Sequence, residues 1–343
     1  MNKLHNYMKL TMFSLFMSFV IAGCSSSDNK PVSSTTSQVP TFSSSASEAA
    51  TPTPTVELID SDQVIKTFSD LAMEKPLADV MYAAYSKNIV DLQPADADEL
   101  TRVLESYYNE NLDAFTDKLD SEIVQKALHV NYIPITDKQL DELTTIESDD
   151  VRQFIQKTLR NGYKLVSGEG TIYLAVDYSK LLIHSDKLTP AMKAYLEIMS
   201  SESNEKSMSD ASIVIGLDEL ATRTLAAESF VVTYPDSLER KKIEQQYGLY
   251  LSMFLAGTSN TTHYGEKYMI LPEVKSQYEQ MVADYGETIT GQVTQQLLDI
   301  LKGTKGAFFE VDGLGESQSI PEVQKFFDNF YTDAVAKFPA ATK

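Results

Sequence analysis

The strongest constraint on the fold is a helix–turn–helix pattern in residues 217–257. Apolar residues recur at helical spacing on both sides of the turn YPDS, residues 234–237. Pro235 lacks a backbone N–H and disfavours the helical conformation of the residue before it, so the first helix should end there. Asp236 or Ser237 should cap the second helix. The stretch therefore predicts an antiparallel helical hairpin.

Related patterns return twice further along the chain. Tyr285 lies 51 residues after Tyr234, and Phe338 lies 53 residues after Tyr285, each beside a glycine or a proline. An aromatic residue at a turn between two amphipathic helices resembles the helical-hairpin repeats of the tetratricopeptide type, found in many bacterial envelope lipoproteins. The resemblance covers residues 217–257 best and residues 272–303 less well, and its spacing exceeds the roughly 34 residues of that repeat. It implies stacked helical hairpins, each with an aromatic ring wedged between its helices.

The periodicity from residue 60 onward is mostly helical, with helix starts predicted at Pro76, Thr136, Ser148, Pro190, Pro272 and Ser319-Pro321 and helix ends at Gly257 and Gly303. Gly257 should adopt a left-handed conformation. Between residues 163 and 177 the period changes to two around a glycine-rich gap, which predicts a β-hairpin. Its core face should carry Ile172, Leu174 and Val176, and Tyr173 should face outward or line a cleft. The predicted fold class is mainly α: stacked antiparallel helical hairpins with one small β-hairpin insertion near residues 163–177.

The N-terminus reads as a secretion signal. Lys3 and Lys9 precede an apolar run that is too short for a comfortable membrane span and right for a signal peptide. The run ends in Ile21-Ala22-Gly23-Cys24, which resembles the bacterial lipobox. The resemblance implies removal of residues 1–23, diacylation of Cys24 and a lipid anchor on the extracytoplasmic face of the cell membrane. The alternative is an uncleaved N-terminal anchor.

The segment after Cys24 differs sharply in composition from the rest. Ser25 to Thr55 is almost entirely Ser, Thr, Ala and Pro, which cannot bury apolar surface and predicts a disordered tether of about 30 Å. Cys24 is the single cysteine, so the folded part must be stable without a disulfide. We therefore divide the chain into a signal peptide (1–23), a tether (24–56), an N-terminal helical part with the β-hairpin (57–200) and a C-terminal hairpin-repeat part (210–343).

The charge of the chain excludes one class of partner. The full sequence has a net charge of −20, and loss of Lys3 and Lys9 makes the mature chain still more acidic. Nucleic-acid binding needs a basic stripe, so we expect no nucleic-acid partner. An anionic bilayer would also repel the folded part, which agrees with a tether and an acyl anchor. The acidic surface serves either solubility or a binding face.

The sequence carries no signature of catalysis. Outside the signal peptide the histidines are His129, His184 and His263, none within five residues of another, and no zinc-binding, nucleophile-elbow or phosphate-loop motif occurs. We therefore expect no enzyme activity, no cofactor and no metal. His263 lies in a polar loop, where it is either a ligand contact or a solvated histidine.

The tyrosines are the best candidates for binding. The chain has 18 Tyr, and several cluster around the 217–257 hairpin and the loop after it. Tyrosine rings suit contacts with proteins or glycans, although ordinary helix packing is the alternative. The candidate binding residues are Tyr173, Tyr247, Tyr250, His263, Tyr264 and Tyr268. We expect a non-catalytic scaffold that binds an envelope protein or peptide. The alternative is a lipoprotein that captures a small solute in a cleft near the β-hairpin, with an envelope hydrolase as a distant third.

Overall fold

The computed structural model describes residues 60–128, 133–168, 170–313 and 315–342. The predicted signal peptide, Cys24 and the predicted tether lie outside the described residues, as does His129. Residues 57–343 form one compact unit that contains every core residue named below.

The described residues are mainly helical, which confirms the predicted fold class. The helices are α1 (Ser61–Met73), α2 (Ala78–Asn88), α3 (Pro94–Thr116), α4 (Glu122–Ala127), α5 (Asp137–Asp141), α6 (Asp149–Arg160), α7 (Tyr178–Leu181), α8 (Pro190–Asn204), α9 (Leu217–Thr233), α10 (Arg240–Ala256), α11 (Pro272–Tyr285), α12 (Ile289–Gly303) and α13 (Pro321–Val335). The strands form antiparallel pairs: β1 (Tyr163–Gly168) with β2 (Thr171–Val176), β3 (Met208–Ser209) with β4 (Ser212–Ile213), β5 (Gly257–Thr258) with β6 (Thr261–Thr262), and β7 (Phe309–Val311) with β8 (Ser317–Ser319). Three small hairpins thus accompany the predicted one.

Most of the predicted helix starts are confirmed. Thr136 and Gln139 form a complete capping box, and the side chains of Ser148 and Thr189 cap α6 and α8. Pro190, Pro272 and Pro321 lie in the first turns of their helices. Helix α8 runs to Asn204, so the first part of the polar stretch after residue 200 is helical.

The β1–β2 hairpin packs as predicted. Ile172, Leu174 and Val176 are all buried on the face toward the helices. The side-chain amide of Gln125 accepts a hydrogen bond from Ile172 N at 2.9 Å and donates one to Ile172 O at 2.8 Å. The amide thereby satisfies two backbone groups at the free edge of β2.

The turn between α9 and α10 differs from the prediction in its capping. Helix α10 begins at Arg240, three residues later than Ser237, and it has no side-chain cap. The hydroxyl of Ser237 bonds Glu239 instead, and the carboxylate of Asp236 accepts a hydrogen bond from Thr342. Ser237 therefore bonds within the turn and Asp236 bonds Thr342 near the C-terminus, so neither caps α10.

Gly257 ends α10 at the predicted position and with the predicted positive φ. Its φ of 72° combines with a ψ of −157°, a region that essentially only glycine adopts and that differs from the left-handed helical one, and the chain passes directly into β5. A Cβ atom at this position would lie 2.4 Å from Thr261 O. Only glycine fits this turn.

The three aromatic positions of the predicted repeat are not equivalent. Tyr234 is half-buried against Phe230, and Phe338 is buried against Tyr247, but Tyr285 is 48% exposed. The prediction that the Tyr285 ring is wedged between two helices is therefore wrong. A Cβ atom at Gly291 would lie 2.0 Å from Tyr285 O, so the first turn of α12 packs closely on the backbone at Tyr285.

A buried carboxylate joins the α9–α10 hairpin to α12. Glu228 on α9 is 6% exposed. Its carboxylate accepts hydrogen bonds from Ile289 N and Thr290 N at 2.7 Å each and from the Thr290 hydroxyl at 2.6 Å. The free N–H groups of a helix N-terminus attract negative charge, so this carboxylate fixes the start of α12 from a neighbouring hairpin.

Two ion pairs join α3 to the start of α10. Arg102 bonds Glu239 at 2.5 Å, and Lys242 bonds Glu105 at 2.7 Å. Because the paired residues are three apart on each element, the two bonds lie side by side on one face. They connect the N-terminal helices to the α9–α10 hairpin.

The turn between β3 and β4 has an unusual backbone. Asp210 and Ala211 have φ values of 47° and 53°, a region that non-glycine residues rarely adopt. The side chain of Asn260 donates to Asp210 O at 2.7 Å, and its backbone N–H donates to Ala211 O at 3.1 Å. Contacts with the β5–β6 hairpin thus hold this turn.

Candidate functional site

Tyr247 and Tyr250 do not present their rings to solvent. Both are fully buried, Tyr247 against Phe338 and Tyr250 with its hydroxyl donating to Glu202 at 2.9 Å. They share with Ile243 the face of α10 that packs into the core. Both rings therefore have the helix packing that was the alternative interpretation.

His263 is a core residue rather than a loop contact. It is 1% exposed, because the β5–β6 hairpin folds back over the end of α10. Tyr278 donates its single hydroxyl proton to Leu255 O at 2.8 Å, so His263 Nδ1, 2.8 Å from the same hydroxyl, carries the proton of the second bond. Burial lowers the pKa of His263 to about 4. The side chain is therefore neutral and inaccessible.

The remaining predicted residues lie nearer the surface. Tyr264 and Tyr268 are half-buried and contact each other at 5.5 Å, and both contact Phe309, which the sequence analysis missed. Tyr173 is half-buried and accepts a hydrogen bond from Lys206 at 2.6 Å. The structure thus brings Tyr264 and Tyr268 together, whereas Tyr173 pairs with Lys206.

A groove with a volume of about 430 Å³ lies between α8 and α9. Its walls are Ala194, Ile198 and Ser201 on α8, and Ala226, Phe230 and Thr233 on α9. Residues at i, i+4 and i+7 share one face of a helix, so each wall follows its helix for two turns. Buried Ile198 and Phe230 make an apolar floor. Of the predicted residues only Tyr250 lines it, from below.

One end of the groove is acidic. Arg223 on α9 is 6% exposed and bonds Glu219 at 2.7 Å and Glu202 at 3.3 Å, with Glu205 at 3.7 Å. Burial alone would lower the pKa of Arg223, but the hydrogen bond to Glu219 and the nearby negative groups outweigh it and raise the pKa. Three carboxylates surround one guanidinium, and Glu197 is exposed on the rim of the groove, so this end of the groove has a negative charge.

No family model matches the chain, and neither the curated proteins nor the solved structures include a similar chain. Function must therefore be argued from the site. In the part of the chain that the structure describes, no helix is both long and apolar enough to cross a bilayer.

The polar groups that line the groove are partly engaged within the protein. Arg223 bonds Glu219, and the hydroxyl of Tyr250 bonds Glu202. Within the described ranges, no three His, Cys, Asp or Glu side chains are placed to hold a metal ion. The groove can therefore hold a ligand by burial of apolar surface and by charge.

A second polar cluster, centred on Glu105, lies between α3, α7, α8 and α10. Glu105 accepts hydrogen bonds from the hydroxyls of Tyr178 and Tyr195 and from Lys242. Burial, together with the charge of Glu105, raises the pKa of both phenols. The phenols stay protonated as donors, and the cluster ties four helices together.

Proposed function

We propose that this protein is a lipid-anchored, non-catalytic scaffold on the extracytoplasmic face of the cell membrane, which binds a segment of another envelope protein in the α8–α9 groove. The observation that carries the proposal is the groove itself, with an apolar floor of Ile198 and Phe230 and with small or hydroxylated residues beside it on both helices. Its volume falls within the range of sites that bind ligands. The lipobox at Cys24 supports the anchor.

The alternative, capture of a small solute near the β1–β2 hairpin, has less support. Neither β1 nor β2 contributes a residue to the α8–α9 groove. The face of β2 that carries Ile172, Leu174 and Val176 is packed into the core, so it offers no surface to a solute.

A photo-crosslinking side chain placed at Ser229, on the exposed rim of the groove, should give a discrete adduct in intact cells. The same side chain at Ala283, exposed on α11, is the matched control and should give none. Ala226→Trp should remove the adduct, because an indole at this exposed wall position would fill the groove without disturbing the core. Adducts of equal yield from Ser229 and Ala283 would refute binding in the groove.

Cys24→Ser should release the protein from the membrane fraction or leave its signal peptide uncut, because the serine hydroxyl cannot take the thioether-linked diacylglycerol. Cell fractionation followed by mass determination measures both outcomes. Ser26→Ala, two residues away, should leave the protein in the membrane fraction. A cleaved Cys24→Ser protein that still sediments with membranes would show that the anchor is something else.

A further inference from the structure

We infer that the occupant of the α8–α9 groove is an amphipathic helix that carries lysine or arginine at one end. The inference rests on the proposed function and names the class of partner. It follows from the shape of the groove and from the charge at its acidic end.

The walls of the groove favour a helix over an extended peptide. A peptide that binds by adding a strand needs a free strand edge, whereas the backbone groups within α8 and α9 bond each other. The groove must therefore recognise side chains. Ala194 and Ser201 on α8 and Ala226 and Ser229 on α9 line the groove, and small side chains let a third helix approach to the usual 8–10 Å. The walls run for seven residues, about 10 Å, which two turns of a helix would cover.

The charges at the two ends of the groove determine which charged residues a bound helix should carry. At the acidic end, Glu205 is 69% and Glu219 44% exposed, and Glu197 also faces solvent, so their charges act on whatever occupies the groove. Arg223 offsets one of these charges, and it is itself buried. The opposite end is formed by neutral Thr233 and Tyr234. A helix with basic residues at one end therefore matches the groove in one direction, and like charge disfavours an acidic helix.

Two synthetic helical peptides of about 20 residues test this inference. Both carry the same alanine and leucine stripe, and the polar positions at one end hold lysine in one peptide and glutamate in the other. Binding to residues 57–343, which contain the whole described core, is measured by fluorescence anisotropy. The lysine peptide should bind at least tenfold more tightly than the glutamate peptide.

Variants of the protein locate the binding site. Ala226→Trp should abolish binding of the lysine peptide, and Ala283→Trp should leave it unchanged. Glu197→Gln with Glu205→Gln should weaken binding by about two- to fivefold per carboxylate, as expected for exposed charge pairs. Raising the salt concentration should weaken binding in the native protein more than in this double variant. A cooperative thermal melt for each variant confirms that it is folded.

Each other outcome overturns the inference in a recognisable way. Equal binding of the two peptides, blocked by Ala226→Trp, would retain a helix in the groove and refute its basic character. Lysine-peptide binding that Ala226→Trp leaves intact would show general attraction to an acidic protein. No binding of either peptide, with an adduct still formed from Ser229, would refute the helix and leave the proposed function standing. An adduct of twice the mass of the chain would identify a second copy as the occupant.

Discussion

Replacing Glu228 with alanine should lower the free energy of unfolding by about 3 kcal/mol, because it strips three hydrogen bonds from the buried start of α12. Two backbone N–H groups, of Ile289 and Thr290, would lose their acceptor. Water does not easily replace the carboxylate, since Glu228 is 6% exposed and Thr290 is fully buried. Urea denaturation of residues 57–343 measures the loss.

Two further variants test whether the loss comes from the Glu228 carboxylate or would follow the removal of any carboxylate. Glu228→Gln keeps one acceptor oxygen and should cost less than the alanine variant. Glu279→Ala removes an exposed carboxylate from α11 and should change stability by less than about 0.5 kcal/mol. A loss below about 1 kcal/mol for Glu228→Ala would mean that the N–H groups find other partners.

Lowering the pH from 7.5 to 4 should cost the native protein about 3 kcal/mol through His263 alone. The pKa of this histidine is 6.5 in a model peptide and about 4 in the folded protein, because burial disfavours the charged form. Below pH 6.5 the unfolded chain binds a proton that the folded chain excludes. Stability from this group is therefore complete above pH 6.5 and is lost as the pH falls toward 4.

His263→Gln isolates this effect from the many carboxylates that titrate in the same range. Glutamine retains an amide N–H for the Tyr278 hydroxyl and does not titrate. The stability difference between native and variant proteins, measured by urea denaturation at several pH values, should shrink as the pH falls from 6.5 to 4. Parallel pH profiles for the two proteins would refute the buried neutral histidine.

Features set by short-range chemistry were predictable from the sequence. The capping box at Thr136 and the prolines at α8, α11 and α13 act within one turn of the helix they start. The β1–β2 hairpin was predictable for the same reason, since its alternation and its turn lie within 15 residues.

Features set by tertiary contacts were not predictable from the sequence. Nothing near His263 indicates that Tyr278 and Leu255 will enclose it. The groove draws its walls from helices on either side of a polar stretch, and Arg223 meets carboxylates from both. The burial of Tyr247 and Tyr250 did have a local signal, because both continue the helical spacing of Ile243.

The β3–β4 turn implies an order in which the parts of this chain reach their final structure. Its two carbonyls are held by Asn260, which leaves the ribosome 50 residues after Asp210. Until then α8 and α9 can each be helical, but the link between them lacks the bonds that fix its left-handed backbone. A nascent chain ending at Gly257 would therefore hold both walls of the groove without their final spacing. The groove should become competent only once the β5–β6 hairpin has been synthesised.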